Sequence, residues 1–418
     1  PPAIIDYYLS LMPGVPRDHA IRRLTLLSCH DASPRPLVEK VLERPRLVER
    51  IGAAIADASR AHLTCFNVSE AERRLALRLG VPIYGCDPAL LPLGSKSGSR
   101  RVFREAGLDI ADGVEDLTDA QGIAEALVAL KARDPGLRRA VVKLNEGFSG
   151  EGNAIFRYPD GPLARGAVTD RLAAMDFVAE GMGWEQFHAK FAEMGGIVEA
   201  FIEGDVKTSP SAQYRIDPLG RLATVSTHDQ VTGGIGAQVF EGCRFPADAG
   251  YRLDIQETGR RAAEVLRGEG VLGRFGVDFI SVRGQGDGPA WRHYAVEINL
   301  RKGGTTHPFL MLEHLADGAY DPGTALYCAP SGRPLYYYAS DTLQSVRYRG
   351  LTPADLIDIA VENGLHFHSA TLEGVVFHLI GTLSQYGKLG VLCVADAPER
   401  AEALYHETVA VLDREGGA

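Results

Sequence analysis

Two predicted strands in the second half of the chain carry side chains that could hold a metal ion. In RFGVDFISV (274–282) and YAVEINLRKGGTTHP (294–308) apolar and polar residues alternate, so that Glu297, Asn299 and Arg301 share one strand face. The glycine-rich segment between them predicts a hairpin loop, which would place Asp278 opposite Glu297. Facing carboxylates repel unless a cation separates them, and carboxylate and amide oxygens suit Mg²⁺. The pattern therefore favours a magnesium site, with a solvated polar face as the alternative.

Positive charge and backbone amides follow this face directly. Arg301 would add a cation beside the metal, and the sequence Gly-Gly-Thr-Thr-His-Pro (303–308) predicts a turn whose successive amides could bind an anion. Together these features indicate a phosphate-bearing ligand, provided that other parts of the chain bind a nucleotide.

Two lysines upstream occupy positions that suit phosphate binding. Ser95 or Ser97 could cap a helix predicted to end near Gly107, which places Lys96 at the helix entrance, where backbone amides also favour anions; an ordinary cap is the alternative. Lys143 lies in the predicted strand AVVKL, before the glycine-rich loop NEGFSGEG and the strand NAIFRY. A Walker A loop or a dinucleotide fingerprint would open a helix, so this loop is predicted to be either a flap over phosphates or a simple hairpin.

Two further segments carry candidate ligand contacts. The predicted strand GIVEAFIEGD could line an adenine pocket with Glu199 and its neighbours, and Glu203 or Asp205 would then lie near a ribose. The segment 207–245 is predicted to contain two strands and a long glycine-rich loop around Gly233, and such loops often bind ligands. Its polar residues are candidate substrate contacts, with a structural role as the alternative for each: Lys207, Ser209, Ser211, Arg215, His228 and Gln230.

A framework of mixed α/β and α+β units is predicted to position these residues. In the first unit, strands at 21–29 and 62–68 alternate with helices, which suggests a parallel sheet. The segment 168–194 is predicted to be helical. After residue 330 the chain changes to a tyrosine-rich strand, a helix that Thr352-Pro353 begins, two strands joined by a turn and a last helix.

Composition limits the class of protein. A chain of 418 residues can form two to four structural units, and its formal net charge of −10 argues against nucleic acid and anionic membranes as partners. The six cysteines are scattered without a C-x-x-C pair, which fits reduced thiols in the cytoplasm. Neither a membrane-spanning apolar run nor a signal peptide is evident. The chain begins Pro-Pro without a methionine, which leaves open that its first unit is trimmed.

In combination these motifs resemble the ATP-grasp fold. A lysine before a helix, a strand lysine with a glycine flap, the V-E-x-F-I-E-G segment, and Asp278 with E-x-N occur in the order found in that family. The segments KLNEGFSGEGNA, SPSAQ, STHDQ and EINLRKGGTTHPF are similar to the bacterial peptide ligases related to the pheganomycin ligase. The resemblance covers nearly the whole chain. It implies a pre-ATP-grasp α/β domain (1–94), two α+β ATP-grasp lobes (95–197 and 198–330) and a small C-terminal α+β domain (331–418).

The resemblance also implies roles for individual residues. Lys96 and Lys143 would bind ATP phosphates beneath the flap, and Asp278, Glu297 and Asn299 would ligate Mg²⁺, for which Mn²⁺ could substitute. Flap and adenine-pocket residues would be Gly147, Phe148, Ser149, Gly150, Glu199, Ala200, Phe201 and Ile202, with Glu203 or Asp205 at the ribose. Arg301 would stabilise the transferring phosphoryl group or the acyl phosphate. Some amide-forming relatives carry an arginine where this chain has Gly276, and Lys207, Arg215 or Arg274 would have to replace it.

The chemistry implied by this resemblance is an ADP-forming carboxylate–amine ligase that acts through an acyl phosphate. Its partners would be small-molecule carboxylates and amines or peptides. The resemblance implies an unusual amino acid as the carboxylate donor and natural-product peptide biosynthesis as the setting, and homo-oligomerisation stays open. The segment 207–245 would close over the intermediate and exclude water. Two alternatives use the same cleft: a kinase that phosphorylates a small-molecule hydroxyl, and a non-catalytic ATP-binding module.

Overall fold

A computed structural model describes residues 2–12, 14–147, 152–159, 165–233, 239–284 and 290–416. The predicted flap residues Phe148, Ser149 and Gly150 lie outside the described residues. The same is true of residues 234–238 and of most of the loop between the two strands of the predicted metal site.

The first unit is a small helical subdomain. It contains α1 (Pro2–Ser10), α2 (Arg17–Ile21), α3 (Leu37–Leu42), α4 (Pro45–Ala54) and α5 (Glu70–Leu79). Ser69 caps α5 through a capping box, and Gly80 ends it in the left-handed conformation at φ 66°, as the sequence predicts. Val41, Leu47 and Leu75 form its small core.

The strand predicted at 21–29 and the parallel sheet were wrong for this unit. Within the described residues, its extended segments pair through a single parallel bridge between Leu63 and Ile83. Leu24 and Leu26 are 46% and 64% exposed. A strand is stabilised by hydrogen bonds to a neighbouring strand and by burial of one face. The described part of the first unit offers the segment 21–29 neither a neighbouring strand nor a surface on which to bury its leucines.

The second unit is an antiparallel sheet with helices on one face. Its elements are α6 (Lys96–Glu105), β1 (Gly113–Leu117), α7 (Ala120–Arg133), β2 (Arg139–Leu144), β3 (Asn153–Arg157), α8 (Arg165–Thr169), β4 (Asp176–Phe177), α9 (Trp184–Met194) and β5 (Gly196–Ala200). The strands follow the order β1-β5-β2-β3-β4. Apolar side chains of α7 and α9, including Leu127 and Phe187, pack on the sheet. The helix predicted over 168–194 is interrupted by β4.

The third unit builds a second antiparallel sheet. It contains β6 (Val206–Thr208), β7 (Pro210–Ile216), β8 (Leu222–Gly233), β9 (Val239–Phe245), α10 (Arg252–Gly268), β10 (Gly273–Arg283), β11 (Arg292–Asn299), α11 (Thr306–Ala316), β12 (Ala319–Asp321) and β13 (Leu326–Cys328). Thr232 and Gly233, which are predicted to lie in a long glycine-rich loop, instead belong to β8 and pair with β9; Gly234 and Gly236 of that predicted loop lie outside the described residues. β8 pairs with β7 on one side and with β9 on the other, and ladder hydrogen bonds on both sides hold it as a strand.

The C-terminal unit extends the same sheet. It comprises β14 (Pro334–Gln344), α12 (Pro353–Glu362), β15 (Gly374–His378), α13 (Leu383–Tyr386), β16 (Lys388–Ala395) and α14 (Pro398–Glu415). β14 pairs with β9 on one side and β16 on the other. Helix α1 packs here too, since the hydroxyl of Tyr7 accepts a 2.9 Å hydrogen bond from the backbone N–H of Phe377. The sheet therefore joins the cleft to the chain's last unit.

No helix among the described residues combines the length and apolar character that crossing a bilayer requires.

Candidate functional site

A cleft of about 480 Å³ lies between the two sheets. Both units supply charged residues to it, and they are the residues singled out in the sequence: Lys96, Lys143, Glu199, Lys207, Asp278, Glu297, Asn299 and Arg301. Gly147, Ala200, Phe201 and Ile202 also line it. The two antiparallel sheets face each other and thus bring together residues that are far apart in the sequence. The most distant of these, Lys96 and Arg301, are separated by 205 positions.

The wall formed by β10 and β11 has the predicted register. Asp278 pairs directly with Glu297, and Gly276 pairs with Asn299. The Asn299 side-chain amide donates a 2.9 Å hydrogen bond from Nδ2 to Asp278 Oδ2, and its carbonyl oxygen keeps acceptor capacity. Burial, followed by the charge of Glu297, raises the pKa of Asp278 to about 7.

This donor set fits a hard divalent cation. Among the described residues, no group of three or more His, Cys, Asp or Glu side chains could hold a metal. The Asp278–Glu297 wall therefore offers two carboxylates and one amide oxygen, and remaining ligands would come from water or a bound phosphate, as Mg²⁺ commonly accepts. Asp278 and Glu297 are directly paired in the ladder, so their carboxylates repel, and a cation between them would remove that repulsion.

Lys96 connects this wall to α6, the first helix of the second unit. It is the first residue of α6, whose N-cap Ser95 accepts a 3.0 Å hydrogen bond from the Gly98 N–H. Its ammonium forms an ion pair with Glu297. The position combines a helix N-terminus with a buried lysine, a pairing that favours phosphate.

At the floor of the cleft, a buried carboxylate lies between two cations. Glu199 Oε1 is 2.5 Å from Lys143 Nζ, and Glu199 Oε2 is 3.0 Å from Arg100 Nη1. The Glu199 side chain is only 5% exposed. Its contacts on both carboxylate oxygens hold Glu199 in place, and through its pair with Lys143 the carboxylate positions that lysine at the cleft.

We expect Lys143→Met to reduce both stability and nucleotide affinity. Arg100 remains beside Glu199, so we expect the free energy of unfolding to fall by about 1–3 kcal/mol, less than for a buried carboxylate left without any partner. Adding Glu199→Gln removes the uncompensated charge and should restore most of that loss, whereas ATP affinity should stay low. Urea unfolding and nucleotide titration measure the two effects. The exposed Lys190→Met is the matched control, and an unchanged ATP affinity in Lys143→Met would argue against phosphate binding.

The segment after β5 stacks two cations on an aromatic ring. The Arg139 guanidinium lies 3.8 Å and Lys207 Nζ 4.2 Å from the centre of the Phe201 ring. Lys207 also donates to the carbonyl of Ile202 at 3.3 Å. Desolvation, and then the charges of Arg139 and Lys143, lower the pKa of Lys207 to about 8. Such a lysine binds an anion readily, because the anion relieves both the desolvation and the repulsion.

Neither Glu203 nor Asp205 is among the described residues that line the cleft. Glu203 instead forms a bidentate pair with Arg139, with Nε–Oε1 3.0 Å and Nη2–Oε2 2.6 Å. The predicted contact of either residue with a ribose stays a prediction.

Arg301 and the turn that follows it lie at the other end of the cleft. Gly303, Gly304 and Thr305 line the cleft with Arg301, directly before α11 begins at Thr306. Arg301 Nη1 donates a 3.1 Å hydrogen bond to the Lys302 carbonyl, and its charge acts to lower the pKa of Asp278. Arg301 therefore places a positive charge between the carboxylate wall and the turn.

The other candidates from 207–245 and β10 divide into two groups. Ser209, Ser211 and Gln230 line the cleft. Arg215 and Arg274 are not among its lining residues: they face each other across β7 and β10, and Arg274 pairs with Glu313 at 3.5 Å. His228 is buried, and its Nε2 lies 2.6 Å from the Tyr337 hydroxyl. Burial lowers the pKa of His228 to about 3, so it is a neutral core residue.

Sequence reasoning missed the contribution of the C-terminal unit. Asp341 and Thr342 from β14, Leu379, and Lys388 from β16 line the cleft. So does Phe66 of the first unit. The only local signal is the polar sequence Ser-Asp-Thr (340–342), which interrupts a tyrosine-rich strand. These residues reach the cleft because β14 pairs with the distant β9, and that pairing is not visible in the local sequence.

Comparison with protein families agrees with this architecture. The family model described as IQCH-like, ATP-grasp matches residues 90–158 and 178–321, and the model described as PGM1 C-terminal domain matches residues 355–408. The first match spans the cleft walls, including Lys96, Lys143 and the Asp278–Glu297 pair.

Curated relatives include one that is similar over almost the whole chain. L-propargylglycine–L-glutamate ligase of Streptantibioticus cattleyicolor is 32% identical over 424 residues, which cover 98% of this chain and 83% of the relative. IQ motif-containing protein H of Danio rerio is 23% identical over 325 residues, which cover 66% of this chain but 30% of that protein.

Solved structures share the fold at low sequence identity. The biotin carboxylase domain of Hydrogenobacter thermophilus 2-oxoglutarate carboxylase has a TM-score of 0.58 at 14% identity and covers 90% of this chain and 79% of that chain. N5-carboxyaminoimidazole ribonucleotide synthetase from Thermus thermophilus has a TM-score of 0.53 at 16% identity, with 89% and 84% covered. The predicted mixed α/β and α+β fold class is thereby confirmed.

Proposed function

The chain belongs to the ATP-grasp family, and from this premise we propose that it is an ADP-forming ligase that joins a carboxylate to an amine. The observation that carries the proposal is one cleft with two lysines on the nucleotide-facing unit and the Asp278–Glu297–Asn299 wall opposite. Arg301 and the 303–305 turn add an anion site at the end of this wall. A phosphoryl-transfer enzyme that activates a carboxylate needs these parts and no nucleophilic side chain.

We assign the nucleotide to the side of the cleft built by α6, β2 and β5. Lys96 and Lys143 would bind its phosphates, and Glu199, Ala200, Phe201 and Ile202 would surround the adenine. Gly147 borders the cleft, so Gly147, Phe148, Ser149 and Gly150 would cover the outer phosphates. Glu203 would reach the ribose only if its pair with Arg139 opens, and Asp205 is the alternative ribose contact.

Asp278, Glu297 and Asn299 would hold Mg²⁺, and Mn²⁺ would serve in its place, since both accept oxygen ligands. When bound, the ion would neutralise charge on the transferring phosphoryl group. Lys96 is paired with Glu297, so its ammonium is held next to the same phosphates and adds to that neutralisation.

The reaction would proceed in two displacements. A substrate carboxylate oxygen attacks the γ-phosphorus of ATP, the bond to the β-phosphate oxygen breaks, and ADP leaves. The amine nitrogen then attacks the acyl carbon, the C–O bond to phosphate breaks, and the amine loses a proton as the amide forms. Arg301 and the amides of 303–305 would hold the acyl phosphate, and β8 and β9 would shield it from water. Lys207 is the nearest candidate for the cation missing at Gly276, because it lines the cleft whereas Arg215 and Arg274 do not.

The substrate class follows from the relative that the chain resembles over its whole length. That protein is named for a ligation of two amino acids, and we propose amino acids, including unusual ones, as substrates here, in natural-product peptide biosynthesis. Small-molecule substrates, no nucleic acid and a cytoplasmic location agree with the acidic net charge of −10. Whether copies of the chain associate is measurable by light scattering.

Trapping with hydroxylamine tests the proposed function. Purified protein with ATP, Mg²⁺, hydroxylamine and a panel of amino acids should release ADP and form an amino-acyl hydroxamate. Hydroxylamine takes the place of the amine substrate and attacks the acyl phosphate directly. Mass spectrometry of the products supplies the readout, and omission of ATP is the control. ADP without hydroxamate for every amino acid would contradict the ligase, and a stable phosphoester would indicate a kinase instead.

A further inference from the structure

The C-terminal unit contributes a carboxylate to the cleft that the reaction described above does not use. Asp341 lies on β14 and lines the cleft together with Thr342. Its Oδ1 atom is buried without a hydrogen-bond partner. A buried carboxylate oxygen without a partner is costly, so it indicates a ligand that donates to it.

An irregularity of β14 turns this carboxylate into the cleft. The pairing of β14 with β16 shifts register between Ser340 and Leu343, and a β-bulge of this kind re-aims side chains beside functional sites. Hydrogen bonds fix the bulge: Ser340 Oγ and Thr342 Oγ1 both donate to the carbonyl of Glu241, at 2.7 and 2.9 Å. The orientation of Asp341 is therefore built into the sheet.

Asp341 lies near the end of the cleft where the substrate carboxylate would be activated. A Cβ placed on Gly304 would lie 3.7 Å from Asp341 Oδ2, so the carboxylate borders the turn that follows Arg301. In an α-amino acid the ammonium nitrogen lies on the order of 2.5 Å from the carboxyl carbon. A group that binds this ammonium must therefore lie next to the site where the carboxylate is activated.

Charge around Asp341 supports an ammonium ligand. Burial raises the pKa of Asp341, and Lys388 of β16 acts in the opposite direction. Lys388 lies in the same wall of the cleft. A cationic ligand group would compensate the desolvation of the carboxylate, whereas a neutral or anionic group would not.

We propose that Asp341 binds the ammonium group of the amino acid whose carboxylate is activated, and that it makes the enzyme selective for amino acids over carboxylic acids without an amino group. This inference rests on the proposed ligase function and assigns to the C-terminal unit a part in substrate choice. Asp341 is in this view a binding residue that takes no part in phosphoryl transfer.

The test compares donors and variants under hydroxylamine trapping, which removes any dependence on the amine substrate. The donors are each active amino acid and its analogue with hydrogen in place of the ammonium group. For the amino acid, Asp341→Asn should raise KM about 10- to 100-fold, as expected for loss of a charge-assisted hydrogen bond, with KM for ATP unchanged. For the analogue the variant should match the wild type. Asp358→Asn, an exposed change on α12, is the matched control.

The outcomes that contradict this inference can be distinguished from those that contradict the ligase function. An equal loss with both donors, a changed KM for ATP, or an effect seen only with an amine substrate would each overturn the inference while leaving the ligase function intact. Absence of any hydroxamate with the wild type would overturn both. If Asp341→Asn is insoluble, the wild type alone decides: it should prefer the amino acid over its analogue by at least roughly tenfold in kcat/KM, and equal values contradict the proposal.

Discussion

Glu297→Gln is expected to lower kcat by roughly 100-fold or more, because even residues that only support metal ligands often contribute 10- to 100-fold. Glu297 lies opposite Asp278 in the β10–β11 ladder, so the change removes one of the two charges that would attract a divalent cation. It also releases Lys96 from its ion pair. Glutamine has the same shape as glutamate, and we therefore expect the fold to be retained.

Magnesium titration distinguishes the two effects of this substitution. If Glu297 is a metal ligand, the Mg²⁺ concentration that gives half-maximal ADP release should rise in Glu297→Gln. In Lys96→Met that concentration should stay near the wild-type value while KM for ATP rises. Glu407→Gln, an exposed change on α14, is the matched control. Turnover and magnesium dependence that stay at wild-type values in Glu297→Gln would contradict the metal assignment and leave the residue as a partner of Lys96.

Local pattern was sufficient for much of this site. The register of the β10–β11 hairpin follows from strand alternation and a glycine-rich connection, both visible in about 30 consecutive residues. Lys96 was placed at a helix start because a serine cap precedes it, and the structure has that cap. In each case the feature that places the residue in its strand or helix involves residues close in sequence, although the ion pair of Lys96 with Glu297 is long-range.

Features that depend on long-range pairing were not predictable in the same way. Thr232 and Gly233 have residue types typical of a loop, and they lie in a strand because β8 pairs with β9, which in turn pairs with the distant β14. The segment 21–29 shows the reverse, since its strand-like sequence finds no partner. Asp341 reaches the cleft only through a bulge and through the pairing of β14 with β9.

Gly276 stands where some amide-forming relatives carry an arginine, and its surroundings show what a larger residue would contact there. A Cβ at Gly276 would lie 2.7 Å from Nε2 of Gln213, so a longer residue fits at this position only if the end of the Gln213 side chain moves. Arg274 and Arg215 are neighbours of Gly276 on the same or the adjacent strand, but the first pairs with Glu313 and the second is exposed. Sequence proximity alone does not place a side chain in a cleft.

Arg301→Met is expected to lower kcat by about 10²–10³-fold, the effect of removing one preorganised group that stabilises developing negative charge. Arg301 lies beyond the carboxylate wall and before the 303–305 turn, where the phosphoryl group would arrive on the substrate carboxylate. Because Lys96 and Lys143 would still hold ATP, KM for ATP should change little. Arg301→Lys should recover only part of the rate, since lysine offers one charge without the planar guanidinium fork.

Single-turnover hydroxamate formation locates the step that Arg301 assists. With ATP and donor saturating, the rate of hydroxamate formation in Arg301→Met should fall together with the rate of ADP release, because both follow formation of the acyl phosphate. Arg267→Met on the exposed side of α10 serves as the control, where only a surface pair with Glu264 is lost. If ADP release kept its wild-type rate while hydroxamate disappeared, Arg301 would instead protect or orient the acyl phosphate after it forms. A variant with unchanged kcat and raised KM for ATP would place Arg301 with the nucleotide.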